Sequence, residues 1–303
     1  MDDATWIDLL DPDPAELDDI PEEVHPSALE RLKAPLDESE HVRPRIDAHG
    51  GHFFGILVVP TVAAPGADVR YHEIDFIISP ERMITVRKTP TGIAPLDMST
   101  VRNTAMTSGA PPGMCLYHLV DEVAEDFLTL IDAFDDDVDE LEDRVEEWSA
   151  EQIRTHIGKV RHDILRVRRV LTPTRDAARS ILDNRLEIEG EDELFPRDVE
   201  IHFADAYDKL LRATDGLDLA RDLLAGVRDY HQAKVANDQN EVMKRLTVIA
   251  SVLLLPTLIV GLYGQNFDHI PELHWRYGYQ WAWFLIISTT IAQVIYFRRK
   301  KWI

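Results

Sequence analysis

The chain has 303 residues, of which 55 are acidic and 32 basic, so that its formal net charge is −23. A chain this acidic is not expected to bind nucleic acid, and it should tolerate or attract cations. Its single cysteine, Cys115, excludes an intramolecular disulfide and suits a reducing compartment. The first residues lack the basic and apolar regions of a signal peptide, so we expect membrane insertion to depend on apolar segments further along.

Residues 1–115 have the pattern of an α/β domain. Ser27, after Pro26, and Glu30 have the spacing of a capping box, which predicts the start of a short helix. A sheet needs helices against it, and we predict a connection rich in Pro, Gly, Ser and Thr over residues 89–113. Four runs of strand length are apolar or alternating and are separated by prolines such as Pro60: Trp6–Leu10, Phe53–Val59, Tyr71–Ile78 and Met83–Arg87.

Residues 116–195 predict an antiparallel helical hairpin with oppositely charged arms. Residues 121–151 contain 15 acidic side chains and one basic, whereas residues 152–185 contain nine Arg or Lys and three Asp. Ser149 and Gln152 have capping-box spacing at the turn between the arms. Attraction between an acidic and a basic helix packed side by side is sufficient to explain this charge distribution. The residues leave open a second interpretation, in which the acidic run at 135–140 also attracts metal ions or opposes a basic ring.

Two long uncharged segments predict a membrane hairpin near the C-terminus. Leu246–Phe267 has 22 residues without a formal charge and Tyr277–Phe297 has 21. At about 1.5 Å per residue, each helix would reach roughly 30 Å, the thickness of the hydrocarbon core. Basic residues flank the hairpin at 244–245 and 298–303, whereas the connection 264–276 has only Arg276. The positive-inside rule therefore predicts a multi-pass protein of the plasma (inner) membrane with cytoplasmic N- and C-termini and an external loop.

Residues 196–263 predict a long helix that continues into the first membrane segment, at about 246–263. No proline interrupts residues 197–255, and a helix of that length would measure roughly 90 Å. In a lone hairpin, a stripe of small residues packs against another helix, whereas around a symmetry axis it would line a pore. Spacing alone leaves both interpretations open. The small or weakly polar residues of such a stripe recur every three or four positions: Asn240, Met243, Thr247, Ala250 or Ser251, Leu254, Thr257, Gly261 and Gly264.

Several motifs resemble those of the CorA family of divalent cation channels. The segments that carry the resemblance are Asn240–Ala250 with the Leu-Pro-Thr after it, Tyr263–Phe267, and Ile270–Leu273. The family has Gly-Met-Asn and then Met-Pro-Glu-Leu at the last two. The Trp6-Ile-Asp-Leu opening, the acidic run near 135–140 and the basic tail before Trp302 extend the resemblance over the whole chain. It implies a funnel-shaped homopentamer, with an α/β/α sandwich in the cytosol, a long pore-lining helix and a second membrane helix outside it.

The resemblance also implies roles for individual residues. Gly264, Gln265 and Asn266 would form the selectivity filter, with the Asn266 carbonyl facing a hydrated ion. Asp268 and Glu272 would concentrate cations at the outer mouth. On the long helix, Asp205 matches a regulatory metal position through which intracellular divalent ions would gate the channel. The positions that match the pore lining are Asn240, Met243, Leu246, Leu254 and Thr257.

The transported ion is left open by Gln265, which replaces the methionine of the family motif. Magnesium is the expected ion, with cobalt or nickel as mimics, and it would serve as both transported and regulatory ion with no further cofactor. The alternative is a zinc transporter of the ZntB-like branch, which also changes this middle residue. One cysteine and twelve histidines without close ligand spacing give no support to a thiolate zinc site.

Two other classes of function fit the sequence less well. An enzyme is not expected, because the phosphate-binding, dinucleotide-binding, nucleophile-elbow and metalloprotease motifs are absent from the sequence. A non-conducting, membrane-anchored scaffold would explain the hairpin and the long helix. It would not explain the asparagine at the outer mouth.

Overall fold

The computed structural model describes residues 5–18, 20, 24–36, 43–62, 69–183, 194–266 and 270–302, apart from the side chain of Leu273. The chain divides into two compact units, Met1–Arg228 and Asp229–Ile303.

The first unit contains one mixed, five-stranded sheet in the order β1-β5-β4-β3-β2. Strand β1 runs parallel to β5, and the other neighbours are antiparallel. The side chains of β3, β4 and β5 are buried along almost their whole length, which explains why these strands have continuous apolar runs instead of clean alternation. The strands are β1 (Trp6–Leu10), β2 (Arg45–His49), β3 (His52–Val62), β4 (Val69–Ile78) and β5 (Met83–Lys88).

The prediction that Pro60 ends strand β3 is wrong. Pro60 lies inside the strand, opposite Tyr71 of β4. On its other edge β3 pairs with β2 only from His52 to Ile56, so a proline beyond Ile56 removes no hydrogen bond from that ladder. Strand β2 was not predicted, because its Arg-Ile-Asp-Ala-His sequence has no apolar run.

Three short helices accompany the sheet: α1 (Pro14–Asp18), α2 (Pro26–Lys33) and α3 (Ser99–Thr107). The capping box predicted at Ser27 is wrong. The N-cap of α2 lies two residues before Ser27, at His25, whose side chain accepts from the Ser27 backbone N–H, and Pro26 takes the first helical position. Helix α3 occupies part of the connection predicted over residues 89–113, where its nine mostly polar or small residues gave no clear helical pattern.

Helices α4 (Pro112–Arg144) and α5 (Ala150–Leu182) form the predicted helical hairpin. At the start of α5, the Ser149 hydroxyl accepts from the Gln152 N–H at 3.3 Å and Gln152 Oε1 accepts from the Ser149 N–H at 3.0 Å, which confirms the capping box. Helix α6 (Arg197–Tyr263) has 67 residues and confirms the continuous long helix. At Gly216 it lies so close to α4 that an added Cβ would be 2.8 Å from Ile131 Cγ2.

The second unit contains the end of α6, a 3-10 turn at Pro271–His274 and helix α7 (Gly278–Arg299). Helices α6 and α7 are both long and apolar enough to cross a membrane. Helix α6 ends at Tyr263, four residues before the end of the uncharged segment, and α7 begins one residue after the predicted Tyr277. The filter residues therefore follow the helix instead of belonging to it.

A buried ion cluster joins α2 to the sheet. Lys88 Nζ donates to Glu73 Oε1 at 2.8 Å and to Asp75 Oδ2 at 2.6 Å, and Arg31 Nη2 lies 2.8 Å from both Glu73 oxygens. Asp75 Oδ1 has no hydrogen-bond partner among the residues that the structure describes. Burial and the nearby Glu73 carboxylate raise the pKa of Asp75 to about 7, against the opposing effects of Lys88 and Arg31.

This cluster makes the stability of the first unit pH-dependent. Because the folded-state pKa of Asp75 is raised, the contribution of its bound proton is fully present below about pH 4 and is lost as the pH rises through about 7. We expect the midpoint of thermal unfolding of the full chain in detergent to fall between pH 5 and pH 8, and to fall less in Asp75→Asn. The difference in unfolding free energy should be on the order of a few kcal/mol. Asp47→Asn, at a side chain 44% exposed, is the control, and a slope shared by all three proteins would contradict the assignment.

Candidate functional site

One face of the membrane end of α6 is covered within the second unit. Helix α7 lies against it, and Gln293 Nε2 donates to the Ser251 backbone carbonyl at 3.2 Å. The spacing of three or four residues shows that the covered positions form one continuous face. Its buried and half-buried members are Val248, Ser251, Val252, Leu255, Pro256, Ile259 and Tyr263.

The predicted pore residues lie on the opposite face, and all of them are exposed. Leu254 is 72% exposed, against 58% for both Met243 and Leu246. The Thr257 hydroxyl donates to the Leu253 carbonyl at 2.7 Å, so its remaining lone pairs are acceptors. The structure thus brings the predicted residues together as an uncharged, weakly polar stripe that α7 leaves free. The five are Asn240, Met243, Leu246, Leu254 and Thr257.

The predicted filter residues lie immediately after the end of α6. The Gly264 N–H donates to the Val260 carbonyl at 2.8 Å and continues the last helical turn. A Cβ at Gly264 would lie 3.1 Å from the same oxygen, a tight contact that a glycine avoids. Gln265 and Asn266 are both exposed, so their amides are available to a ligand or to another copy of the chain.

The predicted outer mouth is only partly described. Asp268 lies outside the described residues, as its neighbours 267 and 269 do. Glu272 is half-buried in the 3-10 turn. The Glu272 carbonyl accepts from the Trp275 N–H at 3.2 Å, which fixes its backbone just before α7 begins.

The geometry of this turn depends on Gly278, for which the sequence predicted no role. A Cβ at Gly278 would lie 2.0 Å from the Glu272 carbonyl oxygen, so no other residue fits there without moving the turn. The only signal in the sequence was a glycine at the start of an apolar run, which by itself does not distinguish a close backbone approach from a helix start.

Asp205 lies in the first unit, on an exposed face of α6 beside a cavity of about 580 Å³. Lys209 reaches from α6 to α4, where its Nζ lies 2.7 Å from Asp121 Oδ1 and 2.6 Å from Glu125 Oε1. Burial lowers the pKa of Lys209, but hydrogen bonds to these two carboxylates outweigh it and raise the pKa overall. An ammonium group therefore already neutralises part of the site. The cavity is lined by Tyr117, Asp121, Asp205, Asp208, Lys209, Leu211 and Arg212.

A complete metal site is not formed by one copy of the chain within the described ranges, where no group of three or more His, Cys, Asp or Glu side chains converges on a possible ion. The acidic run of α4 is included in that statement. Partial burial, followed by the neighbouring carboxylates of Asp132, Asp139 and Asp136, raises the pKa of Asp135. Negative charge is therefore crowded on this part of α4.

Comparisons with known proteins cover nearly the whole chain. A family model described as "CorA-like Mg2+ transporter protein" matches residues 2–299. The chain is 25% identical over 281 residues to the cobalt/magnesium transport protein CorA of Thermotoga maritima, covering 92% of this chain and 77% of that one. It is 46% identical over 66 residues to the magnesium transport protein CorA of Haemophilus influenzae, covering 22% of this chain and 21% of that one.

Solved structures show the same fold. The complete structure of the CorA magnesium transporter from Methanocaldococcus jannaschii has a TM-score of 0.79 at 21% identity, covering 100% of this chain and 93% of that one. The cytoplasmic domain of ZntB from Vibrio parahaemolyticus has a TM-score of 0.54 at 15% identity, covering 71% of this chain and 80% of that one. The α/β domain, the long helix and the two-helix membrane hairpin are therefore shared features.

Proposed function

The chain belongs to the CorA-like Mg2+ transporter family, and from that membership we propose that it conducts hydrated magnesium, with cobalt or nickel as mimics. Members of this family are divalent cation transporters of membranes and not enzymes. The observation that carries the proposal is the uncharged stripe of α6, which lies opposite α7 and leads to the exposed Asn266. A path without fixed charge holds a hydrated ion too weakly to trap it, which conduction requires.

The stripe becomes a pathway only when several copies surround it. We propose a homopentamer in which the Leu254 and Thr257 faces of five α6 helices point at a common axis and α7 lies outside. The support is the 72% exposure of Leu254 in a single copy, together with the covered opposite face. A bulky apolar ring at Leu254 would be the constriction, and the Thr257 oxygens would offer acceptors to the waters around the ion.

The filter chemistry suits magnesium. Mg2+ binds its waters at about 2.0–2.1 Å and gives them up reluctantly, so a ring of neutral oxygens can select the hydrated ion without stripping it. Asn266, placed directly after the helix, would supply that ring. Glu272, with Asp268, would raise the local cation concentration at the mouth. A zinc transporter of the ZntB-like branch is the second candidate, and the observation that favours it is Gln265 in place of methionine.

The orientation follows from charge. Lys244 and Arg245 precede the apolar part of α6, and residues 298–301 follow that of α7, so both ends of the hairpin carry basic residues. We propose cytoplasmic N- and C-termini and an external filter loop on that basis. The tail forms a turn in which the backbone N–H of Trp302 donates to the Phe297 carbonyl at 3.0 Å. The rings of Trp302 and Phe297 are stacked, with their centroids 5.7 Å apart.

Asn266→Ala tests the filter. It should reduce magnesium uptake into proteoliposomes to background while the oligomer still assembles, because the hydrated ion loses its ring of acceptors. Gln265→Met, at the adjacent exposed position, is the matched control and should retain uptake with little change in the ratio of magnesium to zinc flux. Full uptake by Asn266→Ala would refute the filter assignment. A change of several-fold in the flux ratio for Gln265→Met would place its amide in the ring and favour the zinc candidate.

Gating by intracellular magnesium is proposed at Asp205. One copy offers Asp205 and Asp208 beside a cavity whose other carboxylate, Asp121, is paired with Lys209, so a neighbouring copy would have to complete an ion site. An ion bound between copies would hold them together, and its loss would free them to move.

Asp205→Asn should leave maximal flux intact and raise the internal magnesium concentration that half-inhibits flux, by roughly tenfold if one charge-assisted contact of about 1.4 kcal/mol is lost. The measurement is uptake by proteoliposomes loaded with graded magnesium. Asp222→Asn, on the same helix with its side chain 71% exposed, is the control and should behave as wild type. Equal inhibition of all three proteins would remove Asp205 from gating.

A further inference from the structure

Among the described residues, one side-chain hydrogen bond joins α6 and α7, and it involves none of the residues assigned a role above. Gln293 lies half-buried on the α6-facing side of α7, and its Nε2 donates to the Ser251 backbone carbonyl at 3.2 Å. An amide inside a membrane hairpin is costly unless it is bonded, so its presence there calls for a role.

The contact lies where the backbone hydrogen bonding of α6 is interrupted. Pro256 has no N–H, so the Val252 carbonyl, four residues before it, cannot receive its usual helical bond. Side chains bond the carbonyls on both sides of that position. Gln293 bonds the Ser251 carbonyl, and the Thr257 hydroxyl bonds the Leu253 carbonyl at 2.7 Å. Both bonds hold carbonyls that flank the freed one, so they brace α6 at the proline.

The proline break lies beside the proposed constriction. Leu254 is two residues before Pro256 and three after Ser251, on the exposed face of α6. Helices bend at proline. A bend there would move Leu254 relative to the cytosolic part of the stripe, whereas a side chain that holds the Ser251 carbonyl from outside would oppose that bend.

The Gln293 amide is bonded at only one end. Its Oε1 is buried and has no hydrogen-bond partner in the part of the chain that is described. A small shift of α6 that brought the Ser251 hydroxyl to this oxygen would replace one hydrogen bond by another. The same amide thus has a second hydrogen bond within reach of a small helix shift, and a gate requires an element with two such arrangements.

We propose that Gln293 is a positioning residue for the pore. By hydrogen-bonding α6 next to Pro256, it sets the equilibrium between two positions of the Leu254 constriction. This inference rests on the proposed function. It adds a gating element inside the membrane that is separate from the cytosolic Asp205 site.

Magnesium uptake by proteoliposomes of the full chain, measured against graded internal magnesium, tests this role. Gln293→Met keeps the length of the side chain but cannot hydrogen-bond through an amide. We expect it to shift the half-inhibiting magnesium concentration roughly fivefold, the population change that corresponds to about 1 kcal/mol. Gln293→Asn is one methylene too short to reach Ser251, and it should shift that concentration in the same direction. The sign of the shift tells which position of Leu254 the contact favours.

Thr290→Val is the matched control, because it removes a polar group of α7 that bonds only its own helix, at the Ile286 carbonyl at 2.7 Å. It should leave the half-inhibiting concentration unchanged. If both Gln293 variants match wild type, or lose only assembled protein while the assembled fraction is inhibited as wild type, Gln293 is structural and the inference is overturned. A wild-type chain without divalent flux would instead refute the proposed function.

Discussion

The packing of α7 on one face of α6 is the contact on which the rest of the membrane unit depends. It covers Val248, Ser251 and their neighbours, and it leaves the opposite, uncharged face exposed. In hydrocarbon there is no hydrophobic drive between helices, so close packing and a few hydrogen bonds must hold this pair together. The exposed stripe then has two possible environments, lipid or other copies of the chain. Thr257, the polar member of the stripe that lies inside the apolar segment, favours a water-filled axis over lipid.

In the first unit, the N-terminal part of α6 is held by different contacts. Gly216 lets α6 approach α4 until only the Ile131 side chain separates them, and Lys209 bonds two carboxylates of α4. The same stretch of α6 carries Asp205. A regulatory ion at Asp205 would thus act on a stretch of α6 that packing and one ammonium group already hold against α4.

The sequence predicted best those elements that are marked by a long uniform segment or by a local hydrogen-bonding motif. The uncharged segments, the absence of proline over residues 197–255 and the Ser149 capping box each gave the correct element. Features set by tertiary contacts were missed or wrong. Pro60 is tolerated because β2 ends before it, His25 replaces Ser27 as the cap, and Gly278 matters because of a carbonyl six residues away. The pairing of Gln293 with Ser251 could not be inferred either, since it requires knowing how two helices face each other.

The central claim is that the face of α6 opposite α7 lines the ion path, and cysteine accessibility tests it most directly. In a Cys115→Ala background, Leu254→Cys and Val252→Cys place one thiol on the exposed face and one on the face that α7 covers. Magnesium flux is measured before and after treatment with a membrane-impermeant thiol reagent. The account predicts that the reagent blocks flux through Leu254→Cys and leaves Val252→Cys unaffected. Block at Val252→Cys without block at Leu254→Cys would contradict it.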